Sequence, residues 1–285
     1  MVEVLPQFFQ PHDRKPTRLS RWVVWLSNMS IRNVAQLVVA GAVLYVVVKL
    51  FVKDLVDQVI TEMFYTRFVN GKRCEKMQLA HIEHDFHDPN DCFSRADIQQ
   101  IILGLVFAIA DVFERHDIPY WLDSGTLLGS YREKTVIPHD FDADIGIDEA
   151  TYRRLRDGDE PLEFPSVYEL QIQDAKFRKR GYRDDGIPGR LVHTKSGLYV
   201  DIFVFLESKT LEVDTEPMFA PLPSGCFGGC ARCPAVSESA KEFKIPKSWV
   251  FPLKPCWFGA RMVSCPAQPE KYLDYMYGPD YMTPK

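Results

Sequence analysis

Residues 121–148 read WLDSGTLLGSYREKTVIPHDFDADIGID and carry the densest chemical signal in the chain. The stretch has two halves. In the first, Gly125 and Thr126 follow a short apolar strand at residues 120–122 and open a small helix running through Leu128. Free backbone N–H groups and a hydroxyl at such a helix start can hold a phosphate, because the first turn lacks internal acceptors and carries the positive end of the dipole. In the second half, Asp142 and Asp144 alternate with apolar residues on a strand predicted over residues 142–147. Side chains on a strand repeat every two residues, so both carboxylates face one side. Two like-directed carboxylates repel unless a cation sits between them. Mg²⁺, or Mn²⁺ in its place, suits such a pair, since it takes one or two carboxylates and completes its shell with water and substrate phosphates.

A third acid is expected on a neighbouring strand. Asp201 supplies it as the one charge in the apolar run LYVDIFVF at residues 198–205, where a lone carboxylate is costly without a partner. Taken singly, each of these acids reads as a solvated edge or a turn cap. Their concurrence with the Gly-Thr turn is what points to a site. Upstream, Ser94 stands three residues before Asp97 as a capping-box start to an apolar helix over residues 95–114, with Ile98, Ile101, Ile102, Leu105 and Ile109 on one face. Further strands are predicted at residues 190–193 and 198–206, and a Lys- and Arg-rich helix near residues 174–180. Helix and strand alternate, so the domain assigned to residues 94–285 is α/β or α+β.

At 285 residues, with 46% apolar and 26% charged, the chain has room for one substantial domain plus appendages and is too apolar to be disordered. The net charge of −5 and the dispersed Lys and Arg residues give no basic stripe, so nucleic acid is not expected as a partner. Residues 34–52, VAQLVVAGAVLYVVVKLFV, hold Gln36 and Lys49 as their strongly polar members. As a helix these residues span roughly 28 Å, close to a hydrocarbon core of about 30 Å. Arg14, Lys15, Arg18, Arg21 and Arg32 precede them, and Asp54, Asp57 and Glu62 follow. The positive-inside bias therefore makes residues 1–33 a cytosolic tail, residues 34–52 a transmembrane signal anchor and residues 53–93 a lumenal stem. Trp22 and Trp25 read as interfacial anchors, and the Asn28 sequon falls on the cytosolic side, where it stays unmodified. His81, His84 and His87 recur every three residues in the stem and read as surface residues, since no acid or cysteine nearby completes a ligand set.

The motif block resembles the LicD and fukutin family, whose signature is an aromatic strand, a Gly-Thr-Leu-Leu-Gly helix, an Arg, then Ile-Pro and an Asp-rich strand. Trp121, Gly125, Thr126, Leu127, Leu128, Gly129, Arg132, Ile137 and Pro138 stand as the family has them, and Asp140, Asp142 and Asp144 keep three of its acids. Phe141 departs from the pattern where many members have another Asp. Farther on, GRLVHTKSGLYVDIF at residues 189–203 resembles the family's Arg-containing strand followed by the strand with the third acid, and YLDYMYGPDYMTP at residues 272–284 resembles its closing Tyr-Gly motif. The resemblance covers residues 98–284.

It implies a nucleotidyltransferase-like mixed sheet with flanking helices, here preceded by one N-terminal transmembrane helix. It also implies transfer of phosphocholine or an alditol phosphate from a CDP-linked donor to a glycan or glycoprotein acceptor, in the Golgi or endoplasmic reticulum lumen. On that reading Asp142, Asp144 and Asp201 hold the metal, Gly125 and Thr126 meet the donor phosphates, and Arg132 and Arg190 are candidates for pyrophosphate contacts, because a guanidinium makes two parallel bonds to phosphate oxygens. Asp123 and Asp140 flank and shape the site, while His193 reads as a structural strand histidine and the tyrosines 272, 275, 277 and 281 as packing residues. The rival readings are a catalytically silent glycan-binding or scaffolding member and a transferase acting on a different donor. Cys226, Cys230 and Cys233 could ligate zinc with Cys256 or Cys265, but an oxidising lumen favours disulfides, Cys256 with Cys265 among the bridges the spacing allows.

Overall fold

The computed structural model describes residues 31–158, 162–175, 186–208, 216–237 and 241–284. The chain forms two units, Met1–Phe64 and Tyr65–Lys285. In the first, helix α1 (Ile31–Tyr65) runs through all of residues 34–52. Val38, Val39, Val43, Leu44 and Leu50 on it are exposed. Trp22, Trp25, Asn28 and the basic residues 14–21 lie outside the described residues. Among the described residues, the helix Arg95–Arg115 is long and apolar enough to cross a membrane by composition, but half of its apolar window is buried in the protein, whereas Val38–Leu50 forms a shorter apolar stretch.

The second unit starts well before Ser94. Strands β1 (Thr66–Val69) and β2 (Lys72–Glu75) pair as an antiparallel hairpin about Asn70 and Gly71, both at positive φ as a tight two-residue turn requires. A disulfide joins Cys74 to Cys92, and two short 3-10 turns, Leu79–His81 and His84–Phe86, lie inside the loop it closes. Met77 and Ile82 are buried in the main core. Residues 66–93 therefore belong with the domain, and the stem expected over residues 53–93 is divided. Single turns separated by extended residues have no helical or strand period, which is why the sequence pattern did not betray them.

Helix α2 (Arg95–Arg115) starts at the predicted box: the Ser94 hydroxyl accepts from the Asp97 amide and the Asp97 carboxylate accepts from the Ser94 amide. Its buried face includes Ile98, Ile102, Leu105, Ile109 and Phe113. Burial of each such side chain stabilises by about 1.5–3 kcal/mol. Strand β3 (Trp121–Leu122) leads into helix α3 (Ser124–Arg132), which is longer than expected, and then comes β4 (Ala143–Asp148) followed by α4 (Glu149–Asp157). Strands β5 (Tyr168–Ile172), β6 (Gly189–His193), β7 (Tyr199–Ser208), β8 (Met218–Leu222) and β9 (Ile245–Pro246) complete a mixed seven-stranded sheet, with β3-β4-β7-β6-β5 as its main path. The Lys- and Arg-rich helix expected near residues 174–180 falls mostly outside the described residues.

Strands β4 and β7 run parallel while their other neighbours are antiparallel, and the upper half of β7 pairs with β8. Trp121 lies across from Gly146 on β4, and a Cβ at Gly146 would run into its indole. The tryptophan meets Phe205, Phe219 and Phe251 at 5.1–6.1 Å between ring centroids, so a packed aromatic cluster backs the two central strands. A short helix α5 (Lys247–Val250), the hairpin β10 (Lys254–Phe258) and β11 (Arg261–Cys265), and helix α6 (Pro269–Tyr277) close the unit. Disulfides join Cys256 to Cys265 and Cys230 to Cys233, and Cys226 is the free cysteine among the described residues. With Cys230 and Cys233 bridged to each other, the zinc alternative at Cys226, Cys230 and Cys233 would require that bond to be reduced.

Candidate active site

The parallel register sets Asp144 on β4 directly beside Asp201 on β7. Asp142 lies two residues before Asp144 and projects to the same side, and one carboxylate oxygen from each of the three acids lies within 4.8 Å of the others. Asp201 is buried and the other two are half-buried. Hard oxygen donors gathered so closely fit a small divalent cation.

Their electrostatics point the same way. Removal from water, followed by the charges of Asp142 and Asp201, pushes the Asp144 carboxyl well above the ordinary carboxylate range. Burial raises Asp201 to about 6 despite the opposing Arg190 guanidinium, and burial with the neighbouring Asp142 raises Asp140 to about 7. Loss of water is the larger cause of these shifts and mutual repulsion the smaller, and a bound cation would offset both.

Helix α3 meets this cluster at its N-terminus. A Cβ on Gly125 would stand 3.1 Å from Asp140 Oδ2 and 3.9 Å from Asp144 Oδ2, so the missing side chain keeps the acids open to backbone on that side. Thr126 is buried and its hydroxyl accepts from the Asp144 amide at 2.8 Å. That contact ties the helix to β4 and makes Thr126 a holder of Asp144, its own O–H proton remaining to be donated. Asp123 caps the helix by accepting from the Ser124 amide at 2.8 Å, and the Tyr272 hydroxyl donates to the same oxygen. Burial pushes Asp123 up to about 6.

Both arginines engage carboxylates of the chain itself. Arg132 lies seven residues along α3 from Gly125, about 10 Å of helix, and its Nε donates to Glu133 at 2.7 Å. Arg190 is buried, and the antiparallel register of β6 and β7 sets it opposite Asp201. Its Nε donates to Asp201, its Nη1 donates to Glu83 Oε1 at 2.8 Å, and its guanidinium lies 3.5 Å from the centroid of the Tyr199 ring. In this arrangement Arg190 is the counterion of a candidate metal ligand. His193 bonds Ser196 Oγ at 2.8 Å, as a strand-end structural residue does.

His81 is the residue whose reading changes most. Its Nδ1 lies 2.7 Å from Asp142 Oδ2, and that bond raises the imidazole above its ordinary range. The partner is 61 residues away in sequence, so a search for acids near the histidine triplet could not find it. Glu83 was likewise unreadable, because its partner Arg190 is 107 residues distant. The free Cys226 thiol is raised by partial burial and then by the charges on Asp201 and Asp144.

A profile of the family described as "LicD/FKTN/FKRP, nucleotidyltransferase domain" matches residues 117–268. Among characterised proteins, the chain is 25% identical over 231 residues to the ribitol-5-phosphate transferase FKTN of Macaca fascicularis, covering 79% of this chain and 42% of that one. It is 27% identical over 181 residues to the human FKTN, covering 61% and 32%, and 24% identical over 177 residues to the human ribitol 5-phosphate transferase FKRP, covering 60% and 30%. The chain thus spans less than half the length of each of these relatives.

Proposed function

This chain belongs to the LicD, fukutin and fukutin-related protein family, and from that premise we propose that it is a metal-dependent transferase moving an alditol phosphate from a CDP-linked donor to a hydroxyl of a glycan. The observation that carries the reading is the register of Asp144 against Asp201, with Asp142 completing a three-carboxylate set within 4.8 Å. Ribitol 5-phosphate is the group named for the relatives, so it ranks ahead of phosphocholine as the transferred group.

Asp142, Asp144 and Asp201 would hold Mg²⁺ or Mn²⁺, which when bound supplies charge to offset the donor pyrophosphate and the departing phosphate. The chain's own groups do the rest. The α3 N-terminus at Gly125 offers backbone N–H groups to the donor phosphates, while Thr126 holds Asp144 in place through its amide. Arg190 keeps Asp201 ionised and fixed. In the transfer, the acceptor hydroxyl oxygen bonds to the phosphorus bearing the alditol, the bond from that phosphorus to the CMP oxygen breaks, and CMP departs. The hydroxyl proton passes to a carboxylate of the cluster.

We also propose a single-pass type II arrangement, with α1 as the anchor and the catalytic unit in the Golgi or endoplasmic reticulum lumen. The exposed apolar side chains over Val38–Leu50 and the three disulfides support it, since such bridges persist in oxidising compartments. The test of function is CMP release from CDP-ribitol in the presence of a glycan acceptor and Mg²⁺. Release that stops on chelation and in Asp144→Asn supports the proposal. A folded chain that binds the glycan but releases no CMP from CDP-ribitol or CDP-choline points to a silent binding member.

A further inference from the structure

The loop closed by Cys74–Cys92 precedes the stretch that matches the family profile, and the reaction above makes no use of it. It is nevertheless seated on the sheet at the candidate site. The Glu83 amide donates to the Gly197 carbonyl at 2.8 Å, and the Tyr199 hydroxyl donates to the Ala80 carbonyl at 3.1 Å. Gly197, at φ +74, leaves room for this approach: a Cβ there would lie 2.6 Å from the Glu83 carbonyl oxygen.

Two side chains leave the loop toward the acids. His81 Nδ1 meets Asp142 at 2.7 Å, and Glu83 meets Arg190 at 2.8 Å, whose other edge meets Asp201. Both lines of contact end on members of the three-carboxylate set.

We propose that this disulfide-closed loop is a working part of the metal site, with His81 and Glu83 as positioning residues that set Asp142 and Asp201 for the cation. The inference rests on the metal reading given above. His81 donates to one oxygen of Asp142 and so fixes which way the carboxylate turns. Glu83 acts on Asp201 through Arg190. A buried guanidinium facing Asp201 alone would pair fully with it and compete with the cation. A second carboxylate on Nη1 divides that charge and leaves Asp201 available as a ligand. Partners that orient metal ligands in this way are typically worth about 10–100-fold in metal affinity.

The experiment measures Mn²⁺ binding to the purified full-length chain by the loss of the free-ion electron paramagnetic resonance signal, with melting temperature recorded alongside. His81→Ala and Glu83→Gln are each expected to weaken Mn²⁺ binding by about ten-fold, and His81→Asn, which keeps a donor near the position of Nδ1, is expected to recover most of the loss. Should His81→Ala fail to fold, the comparison of Glu83→Gln with the parent carries the test. Mn²⁺ binding by folded His81→Ala and Glu83→Gln, or by Glu83→Gln alone where His81→Ala does not fold, that is within two-fold of the parent, or tighter, overturns the role given to the loop while leaving the metal site standing. A parent chain that binds no Mn²⁺ overturns the metal reading and this inference with it.

Discussion

Asp144 is the residue on which most of the account converges. Its amide is held by Thr126, and its carboxylate faces Asp201 and the repulsion of Asp142. In the metal-free chain burial of its charge and that repulsion are both costs, so Asp144→Asn should stabilise the fold by on the order of 1 kcal/mol and raise the melting temperature, while abolishing metal binding. Thermal denaturation and calorimetry on the same variant check both halves. A variant that loses stability would mean Asp144 is held by contacts the charge argument ignores. Gly146 tests the packing behind the site. Gly146→Ala places a methyl against the Trp121 indole and is expected to destabilise by about 1–3 kcal/mol or more, read by chemical denaturation. At this scale the acids were legible because period two fixes their direction. The histidine and glutamate were not, since their partners are brought near only by the tertiary fold.

At the scale of elements, the parallel pairing of β4 with β7 is what turns two separate acid motifs into one site. The sequence gives the strands through their apolar runs and leaves their order open, because neither strand names its neighbour. The Gly-Thr-Leu-Leu-Gly helix was readable from its turn, yet its length was not: Ser130, Tyr131 and Arg132 continue it. The arginine strand was found at the right place, and its antiparallel register then directed Arg190 to Asp201. The N-terminus of α2 was legible in full, since a capping box is a local pattern. Ser94→Ala should cost about 1 kcal/mol of stability through loss of that cap, measured by denaturant midpoint, and unchanged stability would show the helix start is fixed by packing instead. The loop from Cys74 to Cys92 lies at the opposite extreme, because cysteine spacing does not reveal pairing.

For the whole molecule, the acid cluster makes stability depend on pH and on metal together. Asp140 is raised to about 7, Asp123 and Asp201 to about 6, and Asp144 well above the ordinary value. Raised carboxyl pKa values mean that the folded chain binds protons more tightly than the unfolded one between about pH 4 and 7. Stability of the metal-free protein therefore falls as pH rises through that window and stays lower above it. A divalent cation should restore what the rise removes, giving a larger increase in melting temperature at about pH 8 than at about pH 5, since protons compete for the same oxygens. Equal metal effects at both values would place the cation elsewhere. The central claim is metal-dependent engagement of a CDP-linked donor by Asp142, Asp144 and Asp201. Its most direct test is calorimetric titration of the full-length chain with CDP-ribitol, with and without Mg²⁺, beside an Asp142→Asn and Asp144→Asn double variant. The account predicts saturable binding that requires the metal and is lost in the folded double variant; equal binding without metal, or by that variant, would contradict it.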